Sequence, residues 1–281
     1  MEVYNMQVKH KIFAPILLLG FSHASYSDNE RILNGIGHDG DIYRSYSIER
    51  FKWEENVDFQ DRYFVKEDGF RVNISYGKDN NRRQDSGRLE SINNTFNIGY
   101  VDYSGGALSH GVDELKSKTV YLGKDANIGL GYRHFVNDNH SFDIKGFLGI
   151  NLWNRAILNR TVYSEVEEKD VKVGAYEFFI EGYAKAVARY NIHFSHSNQL
   201  SLEVGTDYPL QTWEYSNNTS KLLYPEPNFN FNSSITYYHN KHFFKAYYRD
   251  GKYDQSKTNS DGWYQPESDF EIFGLEYGFY F

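Results

Sequence analysis

The stretch Asp269-Phe-Glu-Ile-Phe-Gly-Leu-Glu-Tyr-Gly-Phe-Tyr-Phe281 decides how the rest of the chain is read. Taken with a period of two, Phe273, Leu275, Tyr277, Phe279 and Phe281 fall on one face, and Ile272, Gly274, Glu276, Gly278 and Tyr280 on the other. That is a β-strand with one continuous apolar face and one mixed face. At the end of a soluble domain such a strand frays, and its apolar face is wet. A closed barrel in a membrane removes both problems. Lipid covers the apolar face, and the last strand pairs with the first, so no edge remains.

The tail also resembles the C-terminal strand of bacterial outer-membrane β-barrels, which the barrel-assembly machinery recognises by a glycine, aromatic residues at alternate later positions and a final Phe. Gly274, Tyr277, Phe279 and Phe281 match that pattern. The resemblance covers the last strand only. It implies an outer-membrane location, with outer-membrane lipid and the assembly machinery as partners. The plain alternative is the edge strand of a soluble β-sandwich.

The other end of the chain points the same way. Lys9 and Lys11 precede the apolar run Ile12–Phe21, and Ser22-His23-Ala24 follows with small residues at its first and third positions. This is the layout of a secretory signal, with cleavage expected after Ala24 and Met6 as an alternative start. Residues 25–40 read as a periplasmic lead-in and 41–281 as the barrel.

Composition narrows the class. The mean hydropathy is −0.68, and no apolar run reaches the roughly 18 residues of a helical span. Yet the chain holds 25 Tyr and 21 Phe, which suits a barrel with lipid on one side, water on the other and aromatic girdles between. Cysteine is absent, which excludes disulfides, thiol catalysis and cysteine-bound metal. No HExxH, phosphate-loop or calcium-loop motif occurs, so neither metal nor cofactor is expected. A net charge of −8 argues against nucleic acid as a partner.

Alternation predicts ten antiparallel strands: 42–53, 70–77, 92–100, 126–133 (starting as early as 120), 142–153, 178–193, 200–208, 229–237, 244–249 and 269–281. The alternative is twelve, with the extra pair in 25–66 or 108–124. In the sixth segment Glu177, Glu181, Lys185 and Arg189 recur every four residues, which also fits a helix. The period-two pattern of Phe178, Ile180, Ala184, Ala186 and Ala188 is cleaner. Links at 136–140, 195–198 and 239–242 are short and polar, whereas those at 104–118, 158–174, 212–228 and 251–268 are long. Short periplasmic turns and long surface loops are the barrel layout, and it puts the C-terminus at the periplasmic face.

The lipid-facing set is nearly free of charge, as it must be when a central charge costs about 2–4 kcal/mol. The inward set carries Arg71, Arg133, Asp143, Lys145, Arg155, Glu177, Glu181, Lys185, Arg189, Glu203, Asp207, Lys245, Arg249 and Glu276. These residues line a charged constriction that selects small solutes, or they form a salt-bridged plug. About eight strands are just filled by side chains and about 16 leave a channel, so ten lies between.

The first functional expectation is therefore a monomeric porin-like diffusion barrel. The second is a plugged barrel acting as a surface adhesin or receptor, and the third a barrel enzyme on lipid or peptide. His193 and Ser195 share the two-residue spacing of the His–Ser pair in outer-membrane phospholipase. Here they sit at a periplasmic turn, with His193 inward, and are expected to be polar turn residues. An omptin-type protease needs paired carboxylates and an Asp–His pair at the outer rim. Glu165, Glu167, Glu168 and Asp170 lie in a loop without His, and His110 near Asp113 stands alone. No catalytic residue is expected.

Overall fold

The computed structural model describes residues 42–57, 63–81, 86–105, 115–164, 169–195, 197–217, 221–260, 262 and 264–281. The expected signal sequence and lead-in lie outside them. The described residues contain only strands: β1 (Ile42–Val57), β2 (Tyr63–Asp79), β3 (Gly87–Gly105), β4 (Leu115–Asn137), β5 (His140–Ser164), β6 (Lys169–Ser195), β7 (Asn198–Ser216), β8 (Lys221–Leu223), β9 (Glu226–Pro227), β10 (Asn230–His239), β11 (His242–Asp254) and β12 (Glu267–Tyr280). Ten of them close a ring in which every neighbour is antiparallel. β7 pairs with β10 across the short β8 and β9, and β12 pairs with β1.

All ten expected strands are present, including the segment with a helical repeat, which is β6. The twelve-strand ring is not formed. The two extra strands are short pieces at the rim within 221–227, where β8 pairs with β7 and β9 with β11. Following direct partners from Glu203 on β7 through Ser234, Tyr247, Gly274, Glu49, Arg71, Gly99, Tyr121, Arg155 and Glu177 returns to β7 at Ser216. That displacement of about a dozen residues, with one bulge in β7, is the stagger that tilts the strands of a closed barrel.

Three hairpins at one end are tight. In the turn between β10 and β11, Asn240 takes the left-handed φ of 51°, which matches the twist of the flanking strands and which Asn tolerates well. The opposite end differs from the expected long loops. β5 runs on to Ser164 and β6 starts at Lys169, so most of 158–174 is paired strand. Alternation fades there for two reasons. A register shift follows Ile157, and beyond the membrane neither face of a strand has to be apolar.

The outward faces form an apolar belt. Phe70, Val72, Ile74, Ile98, Ile128, Ile144, Leu148, Val204, Ile235, Phe273 and Leu275 are all exposed. This jacket makes the chain an integral membrane barrel, the architecture of the bacterial outer membrane. Toward the long-strand end the belt gives way to outward ion pairs: Arg50–Asp68 at 2.8 Å, Lys52–Glu271 at 2.7 Å and Lys252–Glu267 at 2.5 Å. Arg50 can occupy the outward face of β1 because it stands above the lipid, paired with Asp68. Lys124 also turns outward, between Phe96 and Leu152, where its long stem lets the ammonium rise toward the belt's edge. At 27 residues, β6 spans roughly 60–70 Å along a barrel tilted by about 40°. The belt needs about 25 Å, so the wall stands well clear of the membrane.

This boundary is testable. Ile144→Lys is expected to destabilise the barrel by about 2–4 kcal/mol in denaturant unfolding from lipid vesicles. Asp269→Lys, on the outward face above the belt, is expected to change stability by less than about 0.5 kcal/mol.

Candidate functional site

All fourteen sequence-derived charges point into the barrel, and the structure sorts them into three levels. Nearest the tight turns, the Arg133 guanidinium grips Asp143 with two bonds, Nε to Oδ1 at 2.6 Å and Nη2 to Oδ2 at 2.7 Å. Both side chains are fully buried. Arg189 pairs with Glu203 at 2.5 Å and stands 3.9 Å from Asp143. Lys145 reaches across to Asp79 at 3.7 Å and donates to Asn81. Beside these pairs an aromatic floor gathers Tyr43, Tyr238, Phe243 and Tyr280.

The middle level is polar. Arg71 bonds Glu49 at 2.9 Å, Arg249 bonds Asp207 at 2.8 Å, and Lys245 stands 3.9 Å from Glu276. Lys185 also faces this level. Around them the walls carry Ser47, Asn73, Ser75, Asn93, Thr95 and Asn232. Asn73 donates to Ser47 at 2.7 Å and Asn93 to Asn127 at 2.7 Å. Neighbouring strands thus satisfy each other's amides and hydroxyls, as buried polar groups require.

The upper level is the decisive one. Trp53 of β1 lies 5.6 Å from Trp153 of β5, 6.5 Å from Phe179 of β6 and 6.3 Å from Phe270 of β12, centroid to centroid. Trp153 stacks on Phe179 at 3.8 Å, and Tyr121, Tyr253 and Phe51 complete the cluster. β1 and β6 stand on opposite sides of a ten-strand ring, so rings from both walls meet across the lumen at this level. Such aromatic contacts add about 0.5–1.5 kcal/mol per pair beyond the area they bury.

Arg155 anchors the same layer. Its guanidinium lies 2.7 Å from Glu55, 3.2 Å from Glu67 and 3.2 Å from Glu177, joining β5 to β1, β2 and β6. The indole nitrogen of Trp53 donates to Glu55 at 2.8 Å. Thr119 and Tyr121 donate to Glu67, and Tyr253 donates to Glu181. Glu55, Glu67, Glu177 and Glu181 therefore each meet a cation or a hydroxyl, which is the condition for burying charge, while the buried Glu214 beside them lies within reach of the Gln265 amide.

Gly274, Tyr277, Phe279 and Phe281, the residues of the C-terminal pattern, alternate along β12 and the residue after it. Tyr277 and Phe281 face outward, and the Phe279 ring lies tilted beside that of Phe281, 6.1 Å away. Gly274 faces the lumen, and a Cβ there would come within 2.2 Å of the Tyr247 ring. The bare glycine lets Tyr247 lie across β12 and donate to Glu49 at 2.6 Å, a ring-over-glycine contact that fixes strand register.

Several participants were not singled out from the sequence: Trp53, Glu55, Glu67, Asp79, Asp125, Phe179, Tyr253 and Phe270. Their signal was parity alone, since each shares the inward face of a strand that was already recognisable. His193 does contact a serine, but Ser141 rather than Ser195. His193 Nε2 lies 2.9 Å from Ser141 Oγ, which also accepts from Asn191 at 3.1 Å. Ser141 is 0% exposed and Phe135 stacks on the imidazole at 5.1 Å, so the pair is packed away from the lumen water. The loop acids Glu165, Glu167 and Glu168 and the His110–Asp113 pair lie outside the described residues, as does the Asp170 side chain.

No family model matches the chain, and no curated protein matches it. Solved structures do resemble it. The outer membrane protease OmpT from Escherichia coli aligns with a TM-score of 0.49 and 8% identity, over 87% of this chain and 98% of that one. The transport unit of the autotransporter AIDA-I from Escherichia coli gives 0.44 and 7%, over 90% and 95%. The beta domain of the Bordetella autotransporter BrkA gives 0.41 and 11%, over 86% and 100%. These are likenesses of barrel architecture.

The Arg155 cluster supplies a stability test. Arg155→Met strands Glu67 as an uncompensated buried charge and is expected to cost about 3–5 kcal/mol. The double variant Arg155→Met with Glu67→Gln should recover part of that loss, read as a double-mutant cycle in denaturant unfolding.

Proposed function

We propose that this protein is a closed surface barrel that works through its projecting rim as an interaction protein, an adhesin or receptor, rather than as a diffusion pore. The observation that carries this reading is the aromatic ceiling, in which Trp53 meets Trp153 and Phe179 from the opposite wall. A selective pore needs a continuous water path with charges along it. Here most of the charges are paired with each other, and rings lie across the path. The long strands support the same role. β4, β5 and β6 extend past the apolar belt and build a stiff wall outside the membrane, and loops on a rigid scaffold are where recognition concentrates. In this reading the tight turns face the periplasm and the long-strand end faces outward. The sealed Ser141–His193 contact serves packing, and the role is non-enzymatic.

The experiment is ion-current recording from the purified, refolded protein in a planar lipid bilayer, with folding confirmed by slow electrophoretic migration before heating. The wild type is expected to be silent. The variant Trp53→Ala, Trp153→Ala, Phe179→Ala removes the ceiling and is expected to show stepwise conductance. Stable conductance steps from the wild type would overturn the closed-barrel reading and return the protein to the diffusion pores.

A further inference from the structure

Between the aromatic floor and the ceiling lies a chamber of about 350 Å³. It falls within the roughly 300–1,000 Å³ range of small-molecule sites. Its walls are mostly amide and hydroxyl groups, and most of the charges that face it are neutralised by direct partners. Two are not.

Lys185 makes no hydrogen bond or ion pair among the described residues. The carboxylates in its field, Glu203 and Asp207, are held by Arg189 at 2.5 Å and Arg249 at 2.8 Å. Asp125 is the converse. It accepts only from neutral donors, the Tyr183 hydroxyl at 2.8 Å and the Asn127 amide at 2.9 Å. Tyr183 shares the inward face of β6 with Lys185 and reaches Asp125 on β4; by register Asp125 is level with Glu181, four residues along β6 from Lys185, and both charges line one chamber. Beside Asp125, on β3, the Asn97 Oδ1 is buried and accepts no hydrogen bond.

A half-buried ammonium with no direct partner and a half-buried carboxylate that meets only neutral donors leave two opposite charges open to the contents of the chamber. A lone anion meets one and a lone cation the other. A neutral solute meets neither in full. We propose that the chamber binds a small zwitterionic solute of amino-acid size, its carboxylate against Lys185 and its ammonium against Asp125 and the Asn97 carbonyl. The proposal rests on the geometry of the chamber and is independent of what the rim does.

The test is calorimetry and saturation-transfer NMR on the refolded full-length protein in detergent micelles. Glycine and L-glutamine are the probes, and the N-acetyl form and methyl ester of glutamine, each lacking one charge, are the comparisons. At least one zwitterion is expected to bind, and each blocked form at least about tenfold more weakly, since each has lost one charge-assisted bond. Lys185→Met should remove the preference for glutamine over its methyl ester, and Asp125→Asn the preference over the N-acetyl form. Lys185→Arg should keep both. If neither zwitterion binds at millimolar concentration, the proposal fails and the chamber holds only water. Equal binding of charged and blocked forms by the wild type also overturns it, whether or not the variants fold. Conductance is a separate readout. A conducting wild type would sink the closed-barrel reading and leave the binding result to stand or fall alone.

Discussion

The pairing of β1 with β12, running from Tyr43–Tyr280 to Asn56–Glu267, leaves no strand edge in the hydrocarbon. A backbone group without a partner there costs several kcal/mol, so an open sheet of these sequences has no stable place in a membrane. Closure then dictates the rest. With lipid outside, one face of every strand is apolar through the belt. The other face encloses a space set by strand number and stagger. At ten strands that space is too wide for the wall residues of each strand to fill alone, and long side chains have to meet in the middle.

The barrel fills the middle mostly with charge and amide rather than with more hydrocarbon. The physical reason lies in the exported chain. A strand apolar on both faces is a hazard before it folds, because uncharged β-prone segments aggregate. Arg133, Lys145, Arg189, Glu203 and Asp207 keep one face of each strand soluble. Once folded, those groups have to be satisfied, and the structure does this locally where it can. Arg71–Glu49, Arg133–Asp143 and Arg189–Glu203 each join adjacent strands.

Strand number, strand identity and the inward or outward sense of each side chain were legible in the sequence, because lipid enforces alternation and alternation is visible. Arg71, Lys185 and Glu276 could be placed in the lumen on parity alone. Their partners could not. A contact such as Arg155–Glu55 joins β5 to β1 across the lumen, and it depends on a stagger that no single strand encodes. Trp53 and Phe270 were hidden for a related reason, since an aromatic residue on a polar face reads as neutral until the opposite wall is known. The upper ends of β5 and β6 were misjudged as loops. Above the belt nothing outside the chain demands a period, and the register shift after Ile157 breaks what remains.

Sequence separation sorts these contacts by when they can form. The ion pair between Arg133 and Asp143 spans ten residues, and that between Arg189 and Glu203 spans fourteen. Both close within single hairpins, where the loop-closure cost is small. The Arg155–Glu55 pair spans a hundred residues, and Trp53 meets Trp153 at the same separation. The entropy of bringing such pairs together is recovered only when the walls on both sides already stand. Hairpin charges can therefore be neutralised strand pair by strand pair, whereas the ceiling assembles last, as the ring shuts. The contacts that cross the lumen are the ones that report a finished barrel. The chamber beneath them comes into being in the same step, since its roof does not exist before β1 through β6 have curved round to meet.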